Sequence, residues 1–208
     1  MTTLIIGVAG GSGSGKTTIA QAIFDDLPRT RVALLQHDSY YHDHPELTYE
    51  QRAELNYDHP SSLDTELLVS HLDALRDGKT INVPMYDFAT HRRREETRTV
   101  EPAPVTIVEG ILVLAEQEVR DRLDIKLFVD TAADIRLMRR IRRDLEVRGR
   151  TFAQVRKQYN DSVRPMHMAF VEPSKSHADI IIPEGGKNLV AVDMVLARVR
   201  QWLQQFGV

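Results

Sequence analysis

The stretch GVAGGSGSGKTTIA, Gly7 to Ala20, decides the fold. Five of its residues are glycine, and glycine loses more conformational freedom on folding than any other residue, so such a cluster needs a purpose. One purpose is a flexible turn without a ligand. The other is a loop whose bare backbone must approach an anion. The order of residues selects the second. Leu4 to Ala9 is an apolar run that reads as a short buried strand. From Thr17 to Leu27, the residues Ile19, Ala20, Ile23, Phe24 and Leu27 recur at helical spacing. Between the two lies Gly10-x-x-x-x-Gly15-Lys16-Thr17, the full strand, G-x-x-x-x-G-K-[ST], helix pattern. In such a loop, successive N–H groups turn inward as a nest for phosphate, and the helix N-terminus adds its positive end. Gly10, Gly11, Ser12, Gly13, Ser14 and Gly15 form this cradle, with Thr18 beside it. Lys16 reaches β- and γ-phosphates, and the Thr17 hydroxyl suits Mg²⁺. The chain therefore reads as one that binds a nucleoside triphosphate.

The rest of the composition bounds what that triphosphate is for. The 208 residues suffice for one α/β domain with a sizeable core and a small insertion. The 27 basic and 30 acidic side chains leave a net charge of −3, which argues against general nucleic-acid binding. No cysteine is present, so nothing requires an oxidising compartment. No basic n-region with a long apolar stretch opens the chain, and no run approaches the roughly 18 apolar residues of a membrane span. The expectation is a cytoplasmic protein without membrane attachment.

Strand candidates are Leu4–Ala9, Val32–Gln36, Val105–Val108, Ile125–Val129 and Ala178–Ile182. Most are continuous apolar runs, as parallel strands covered on both faces require. Helix candidates are Thr17–Leu27, Ser62–Asp77, Ala115–Arg122, Asp134–Arg148, Phe152–Val163 and Leu189–Phe206. The alternation predicts a parallel sheet flanked by helices with right-handed crossovers. The segment 81–100, with Pro84, Tyr86 and Phe88 followed by a charged run, breaks the alternation and reads as an inserted β-hairpin. Insertions of this kind often carry substrate contacts.

Ligands of open α/β sheets bind at the carboxyl ends of the strands, and two strand ends here carry acids. Asp38 follows the second strand and Glu109 the third. Asp38 suits either of two tasks, accepting a proton from an attacking hydroxyl or holding Mg²⁺. Glu109 fits a carboxylate that completes a metal shell. Asp58, in Asn56-Tyr57-Asp58-His59-Pro60, reads equally as a turn aspartate. Tyr86, Phe88 and His91 suit cross-strand pairs or a wall for a flat ring. Six arginines lie between Arg139 and Arg150, spread around the predicted helix, and all but Arg150 precede Gly149, a natural stop or hinge. This element suits a lid over phosphates, which arginine binds bidentately. Arg92-Arg93-Arg94 with Glu95-Glu96 is mixed in sign and reads as surface.

Taken together, GGSGSGKTT, HDSYY, NYDHP, VPMYDFATHRRREET, VEGIL, KLFVDTAADIRLMRRIRRDLEVRGR and ADIIIPEGG resemble the uridine kinase (uridine–cytidine kinase) family, from Gly7 to about Val192. The YDF-x-x-H-x-R and DHP motifs carry most of the specificity and separate it from the phosphoribulokinases. The resemblance implies a single P-loop kinase domain over 1–208, with a nucleoside-binding hairpin at 81–100 and an arginine-rich helical lid at 139–165. It implies transfer of the γ-phosphate of ATP or GTP to the 5′-hydroxyl of uridine or cytidine. Asp38 becomes the base, and Thr17, Asp38 and Glu109 the Mg²⁺ environment. Asp58 holds the ribose hydroxyls, with Arg140 and Gln158 nearby. Tyr41, Tyr57, Tyr86, Phe88, His91 and Arg150 surround the base of the nucleoside. Arg143 and Arg148 meet the phosphates, and Gly185–Asn188, with Lys187, lies near the donor base. The family also implies a homo-oligomer, commonly a tetramer. A GTP-hydrolysing switch would instead show N-K-x-D and D-x-x-G segments, and the chain has neither.

Overall fold

A computed structural model describes residues 3–205, and the side chain of Lys187 lies outside what it describes. Five strands, β1 (Leu4–Ala9), β2 (Val32–Gln36), β5 (Val105–Glu109), β6 (Ile125–Asp130) and β7 (Ile180–Pro183), form one sheet in the order β2-β5-β1-β6-β7. Every pairing within it is parallel. Strand β1 is apolar at almost every position because helices cover both faces. Leu4, Ile6 and Val8 point into one core layer, and Ile5 and Ala9 into the other, as the two-residue period of a strand dictates.

The first layer is closed by α1 (Lys16–Asp26) and α9 (Leu189–Gln205). Ile19, Ile23 and Leu27 meet Val195, Val199 and Trp202 there. The second layer is closed by α3 (Thr65–Arg76) and the antiparallel hairpin of β3 (Ile81–Asp87) and β4 (Arg92–Val100). Leu68, Leu72 and Leu75 of α3 are fully buried, one apolar stripe at helical spacing. Asp64 starts α3 by accepting a hydrogen bond from the Leu67 N–H, a cap worth about 1 kcal/mol. Helix α3 is therefore shorter than the Ser62–Asp77 expectation, since Pro60–Ser62 forms a separate 3₁₀ turn. The helix expected at Ala115–Arg122 shrinks to α4 (Gln117–Arg120), and a short α2 (Tyr49–Ala53) with a Thr48–Gln51 capping box was not foreseen.

The segment 139–165, expected to form a lid, departs most from expectation. Helix α5 (Ala133–Glu146) ends earlier than Arg148, and α6 (Phe152–Gln158) begins at a second capping box, Thr151 with Gln154. The helical path does not stop at Val163. It continues through π turns at Tyr159–Val163 and His167–Val171, joined by the short stretches α7 (Arg164–Met166) and α8 (Glu172–Ser174). Pro165 and Pro173 explain the widening, because a proline ring collides with the carbonyl four residues earlier in a regular helix. Those carbonyls, at Asp161 and Ala169, both lie in the widened turns.

Candidate active site

Strand order builds the site. Strand β1 sits between β5 and β6, so the loop leaving it opens at the point where the chain winds in opposite directions, the usual ligand crevice of such sheets. The loop Gly10–Gly15 is held tightly from outside. Gly13 has φ +80°, and a Cβ there would lie 2.4 Å from the Arg136 carbonyl oxygen, so both conformation and space demand glycine. Thr131 donates to the Ser14 carbonyl at 2.9 Å. The turn Gly185–Lys187 packs against the same loop, since a Cβ on Gly185 would touch the Ser14 carbonyl and one on Gly186 the Thr18 side chain. The backbone of 185–187 thus lies beside the phosphate loop.

In register, Glu109 stands between Val8 of β1 and Gln36 of β2. It is the last residue of its strand rather than the first beyond it. This alignment sets Glu109 beside the phosphate loop, where Thr17 Oγ1 donates to its Oε1 at 3.2 Å. The other carboxylate oxygen, Oε2, is buried without a hydrogen bond. Burial, and the nearby charge of Asp38, push the Glu109 carboxyl above its usual range, with Lys16 pulling the other way. An unpaired buried carboxylate oxygen beside a hydroxyl is a hard oxygen donor set of the kind Mg²⁺ takes, together with waters and substrate phosphates. Among the described residues, no group of three or more His, Cys, Asp or Glu gathers as a metal cage. The residues therefore fit Mg²⁺ shared with a phosphate.

Asp38 occupies the 3₁₀ turn His37–Tyr40 that follows β2. One cleft is lined by Ser12, Lys16 and Asp38 at one end, and by Tyr41, Tyr57, Tyr86, Phe88 and His91 at the other. Asp58, Arg140, Arg143, Arg148, Arg150 and Gln158 line the same cleft. All the residues that the resemblance assigns to the nucleoside are thus brought together, from segments more than a hundred positions apart. Ile111, just past β5, lines it too and was not singled out. Thr17 and Thr18 are exposed.

The aromatic end is built by the hairpin together with Tyr41 and Tyr57. Tyr41 and Tyr86 rings lie 5.2 Å apart, and Tyr86 meets Phe88 edge to face at 5.4 Å. The His91 ring stacks on Tyr57 at 5.0 Å with an 18° tilt. His91 holds a left-handed backbone, φ 54°, a conformation that side chains other than glycine seldom adopt and that concentrates at functional sites. Burial, then the guanidiniums of Arg150, Arg52 and Arg148, hold its imidazole below the ordinary value, so the ring is neutral at neutral pH. Asp58 moves the opposite way, raised by burial against the pull of Arg140.

The charged run of the hairpin is not simply surface. Arg93 donates to the Tyr41 and Tyr40 carbonyls at 2.7 and 3.0 Å and reaches Asp64 at 3.1 Å. Arg92 grips Asp43 through two bonds of 2.6 and 3.0 Å. These contacts tie the hairpin to the loop that follows Asp38. Sequence reasoning missed them because sign alternation looks the same on a solvated strand.

The arginines of this helical segment also differ from their expected spread. Arg136, Arg139, Arg140 and Arg143 recur at three- and four-residue spacing and face the phosphate loop. Arg139 reaches the Gly13 and Ser14 carbonyls at 3.4 Å, and Arg140 and Arg143 donate to Ser12 Oγ at 2.9 and 3.3 Å. Gln158 accepts from Arg140 and Arg150, both at 2.8 Å. Arg148 stands 5.0 Å above the Phe88 ring, and burial lowers its guanidinium to about 10. Asp144, fully buried among these arginines, escaped notice as one acid in a charge run. Its only sequence signal is a spacing of four from both Arg140 and Arg148.

The comparisons with known proteins agree with this geometry. Residues 5–191 match the phosphoribulokinase / uridine kinase family. The chain is 51% identical over 202 residues to the uridine kinase of Alkaliphilus metalliredigens, covering 97% of each chain. It is 53% identical over 201 residues to the uridine kinase of Chloroflexus aurantiacus, covering 97% of this chain and 96% of that one. Among solved structures, phosphoribulokinase from Rhodobacter spheroides superposes with a TM-score of 0.65 at 15% identity, over 88% of this chain and 70% of that one, a likeness of fold. No described helix is long and apolar enough to cross a membrane. With the fold, the phosphate loop and this extent of sequence identity in agreement, the chain belongs to the phosphoribulokinase / uridine kinase family.

Proposed function

We propose that this protein is a nucleoside kinase that transfers the γ-phosphate of ATP, or GTP, to the 5′-hydroxyl of uridine or cytidine, giving UMP or CMP. One observation carries the reading. A single cleft holds the phosphate-loop Lys16 and the Asp38 carboxylate at one end and a cage of aromatic rings at the other. A phosphoryl donor on the loop and a flat, uncharged acceptor in the cage would meet beside Asp38. The identity to curated uridine kinases supports the same acceptor.

The protein's part is mainly positioning and charge stabilisation, as phosphoryl transfer requires. Lys16 and the arginines Arg143 and Arg148 offset charge on the transferring group. Asp38 orients the 5′-hydroxyl and takes its proton. Asp58 accepts from the ribose hydroxyls, with Arg140 and Gln158 alongside, and Tyr41, Tyr57, Tyr86, Phe88, His91 and Arg150 enclose the nucleoside base. Thr17, Glu109 and Asp38 would hold Mg²⁺, which when bound offsets the negative charge of the phosphates. Segment 139–165 acts as a lid, and the backbone of 185–188 lies toward the donor base. The protein works as a homo-oligomer, a tetramer by family resemblance, in the cytoplasm. Exposed Leu189, Val190 and Met194 on α9 support association. The test is phosphorylation of a nucleoside panel with product identification. Uridine or cytidine should greatly accelerate ATP consumption and yield the 5′-monophosphate. ATP consumption indifferent to nucleoside would refute the reading.

A further inference from the structure

Four guanidiniums converge on the one carboxylate of Asp144, which has no exposed surface. Arg143 and Arg148 approach its Oδ1 at 3.2 and 3.5 Å, and Arg140 and Arg150 its Oδ2 at 3.5 and 3.3 Å. The backbone is folded to make this possible. Beyond α5 the chain reverses at Gly149, φ +64°, a left-handed position that favours glycine. The Arg150 N–H then donates back to the Asp144 carbonyl at 3.0 Å. Arg148 and Arg150 are thereby returned to the carboxylate from outside the helix.

The four arginines do not share a single task. Arg140 and Arg143 bond Ser12 in the phosphate loop, while Arg140 and Arg150 bond Gln158 beside the nucleoside pocket. All four line the cleft, whereas Asp144 does not. Four like charges packed this closely repel one another, and in a site partly shielded from water that repulsion is strong. A buried anion at their centre holds them in place before any ligand arrives, and each of its oxygens serves two of them.

We infer that Asp144 is a positioning residue that aims both the phosphate-side and the nucleoside-side arginines, so that one buried carboxylate sets the geometry at both ends of the reaction. This rests on the nucleoside kinase reading of the site. Removing the charge has a distinctive consequence. Uridine is uncharged, so it gains nothing from the extra positive potential that Asp144→Asn leaves, and it loses the aim of Arg140 and Arg150. ATP is anionic and is cradled mainly by loop backbone, so its affinity should hold.

The test compares Asp144→Asn with the unaltered protein, both verified as folded by circular dichroism and thermal melting. The variant should raise the uridine KM at least tenfold and lower kcat at least tenfold, with the ATP Kd within threefold. Uridine KM and kcat both within threefold of the unaltered protein would overturn the inference. So would a loss of ATP affinity in step with uridine affinity, the mark of a carboxylate that only holds the fold. If Asp144→Asn does not fold, Asp144→Asn/Arg148→Gln, which removes one partner as well, is compared with Arg148→Gln alone. A tenfold higher uridine KM in the double variant supports the role, and an equal KM overturns it. Failure of the unaltered protein to phosphorylate uridine would sink the kinase reading instead. The inference is then decided by the arginine Nε–H NMR signals, which should be slow to exchange in the unaltered protein and fast in Asp144→Asn. Unchanged exchange would overturn it.

Discussion

The two ends of the cleft are made of different material. At the phosphate end, one contiguous loop supplies the cradle from its own backbone, and some of the neighbours that shape it, the Arg136 and Val129 carbonyls among them, are backbone too. At the aromatic end, which we propose holds the nucleoside, side chains do the lining, and they come from the turn after β2, the NYDHP segment, the hairpin and segment 139–165. A backbone cradle recognises what all nucleoside triphosphates share, and its geometry tolerates change at many side chains. A side-chain cage recognises what distinguishes one acceptor from another, and every member is a separate point of failure. Asp38 sits at the junction, reached from β2 but lining the same cleft as Lys16 and Tyr41.

That contrast is best broken at the junction. Asp38→Asn keeps the shape of the side chain and removes its charge. Loss of a general base typically costs ~10²–10⁴ in rate, so kcat should collapse while uridine affinity changes little. Near-normal kcat in the purified variant would remove Asp38 from its role.

The nucleoside end is sharpened by Asp58. Loss of a charged acceptor, which contributes roughly 1.5–3 kcal/mol per hydrogen bond, should raise the uridine KM about 10- to 100-fold in Asp58→Ala. For the same reason deoxyuridine should be a poor substrate of the unaltered protein, because a buried acceptor is left unpaired. Equal kcat/KM for uridine and deoxyuridine would contradict this assignment.

His37 tests the frame that joins the two ends. Its side chain lies against Gly110, where a Cβ would come within 2.4 Å of the His37 Cβ, and both ring nitrogens are buried without hydrogen bonds. Burial lowers its pKa from 6.5 to about 4, only partly opposed by Asp38. Between those values the unfolded chain binds a proton that the folded chain refuses, so stability falls as the pH drops through this window. By about pH 5 the loss should reach about 2 kcal/mol relative to neutral pH. In His37→Gln, denaturant titrations at the two pH values should differ by correspondingly less, and an unchanged pH dependence would show that His37 is not the group responsible.

The smallest effect is expected at His91. Uracil offers an O4 acceptor where cytosine offers an N4–H₂ donor. A neutral imidazole can give or take a hydrogen bond, and burial with three nearby arginines keeps this one neutral. His91→Tyr, with the hydroxyl acting as acceptor, should shift the cytidine-to-uridine ratio of kcat/KM toward cytidine, by several-fold to about tenfold. An unchanged ratio would move base recognition to Tyr86 or Arg150.

How much of this was legible beforehand follows the same division. The phosphate loop could be read directly, because its function depends on spacing within eight residues, Gly10 to Thr17. The strands at Leu4–Ala9 and Val32–Gln36 could be read to their ends, because burial on both faces leaves an apolar run. The helix expected at Phe152–Val163 was traced no further, since nothing local reveals that π turns carry the helical path past Pro165. Arg93 and Asp144 were passed over for a related reason. Each sits in a run of mixed charge, and burial is not written in residue type.

By itself the sequence determined the alternating α/β order, the triphosphate loop and the identity of the strand-end acids, since each rests on local periodicity or local backbone conformation. Tertiary structure alone decided that Glu109 stands between β1 and β2, that His91 lies flat on Tyr57, and that four arginines turn inward on Asp144. Those facts depend on strand register, on a hairpin folding back across the sheet and on a chain reversal at Gly149. The physical reason is that burial and charge pairing are set by what packs against a residue, and most of those partners come from distant parts of the chain.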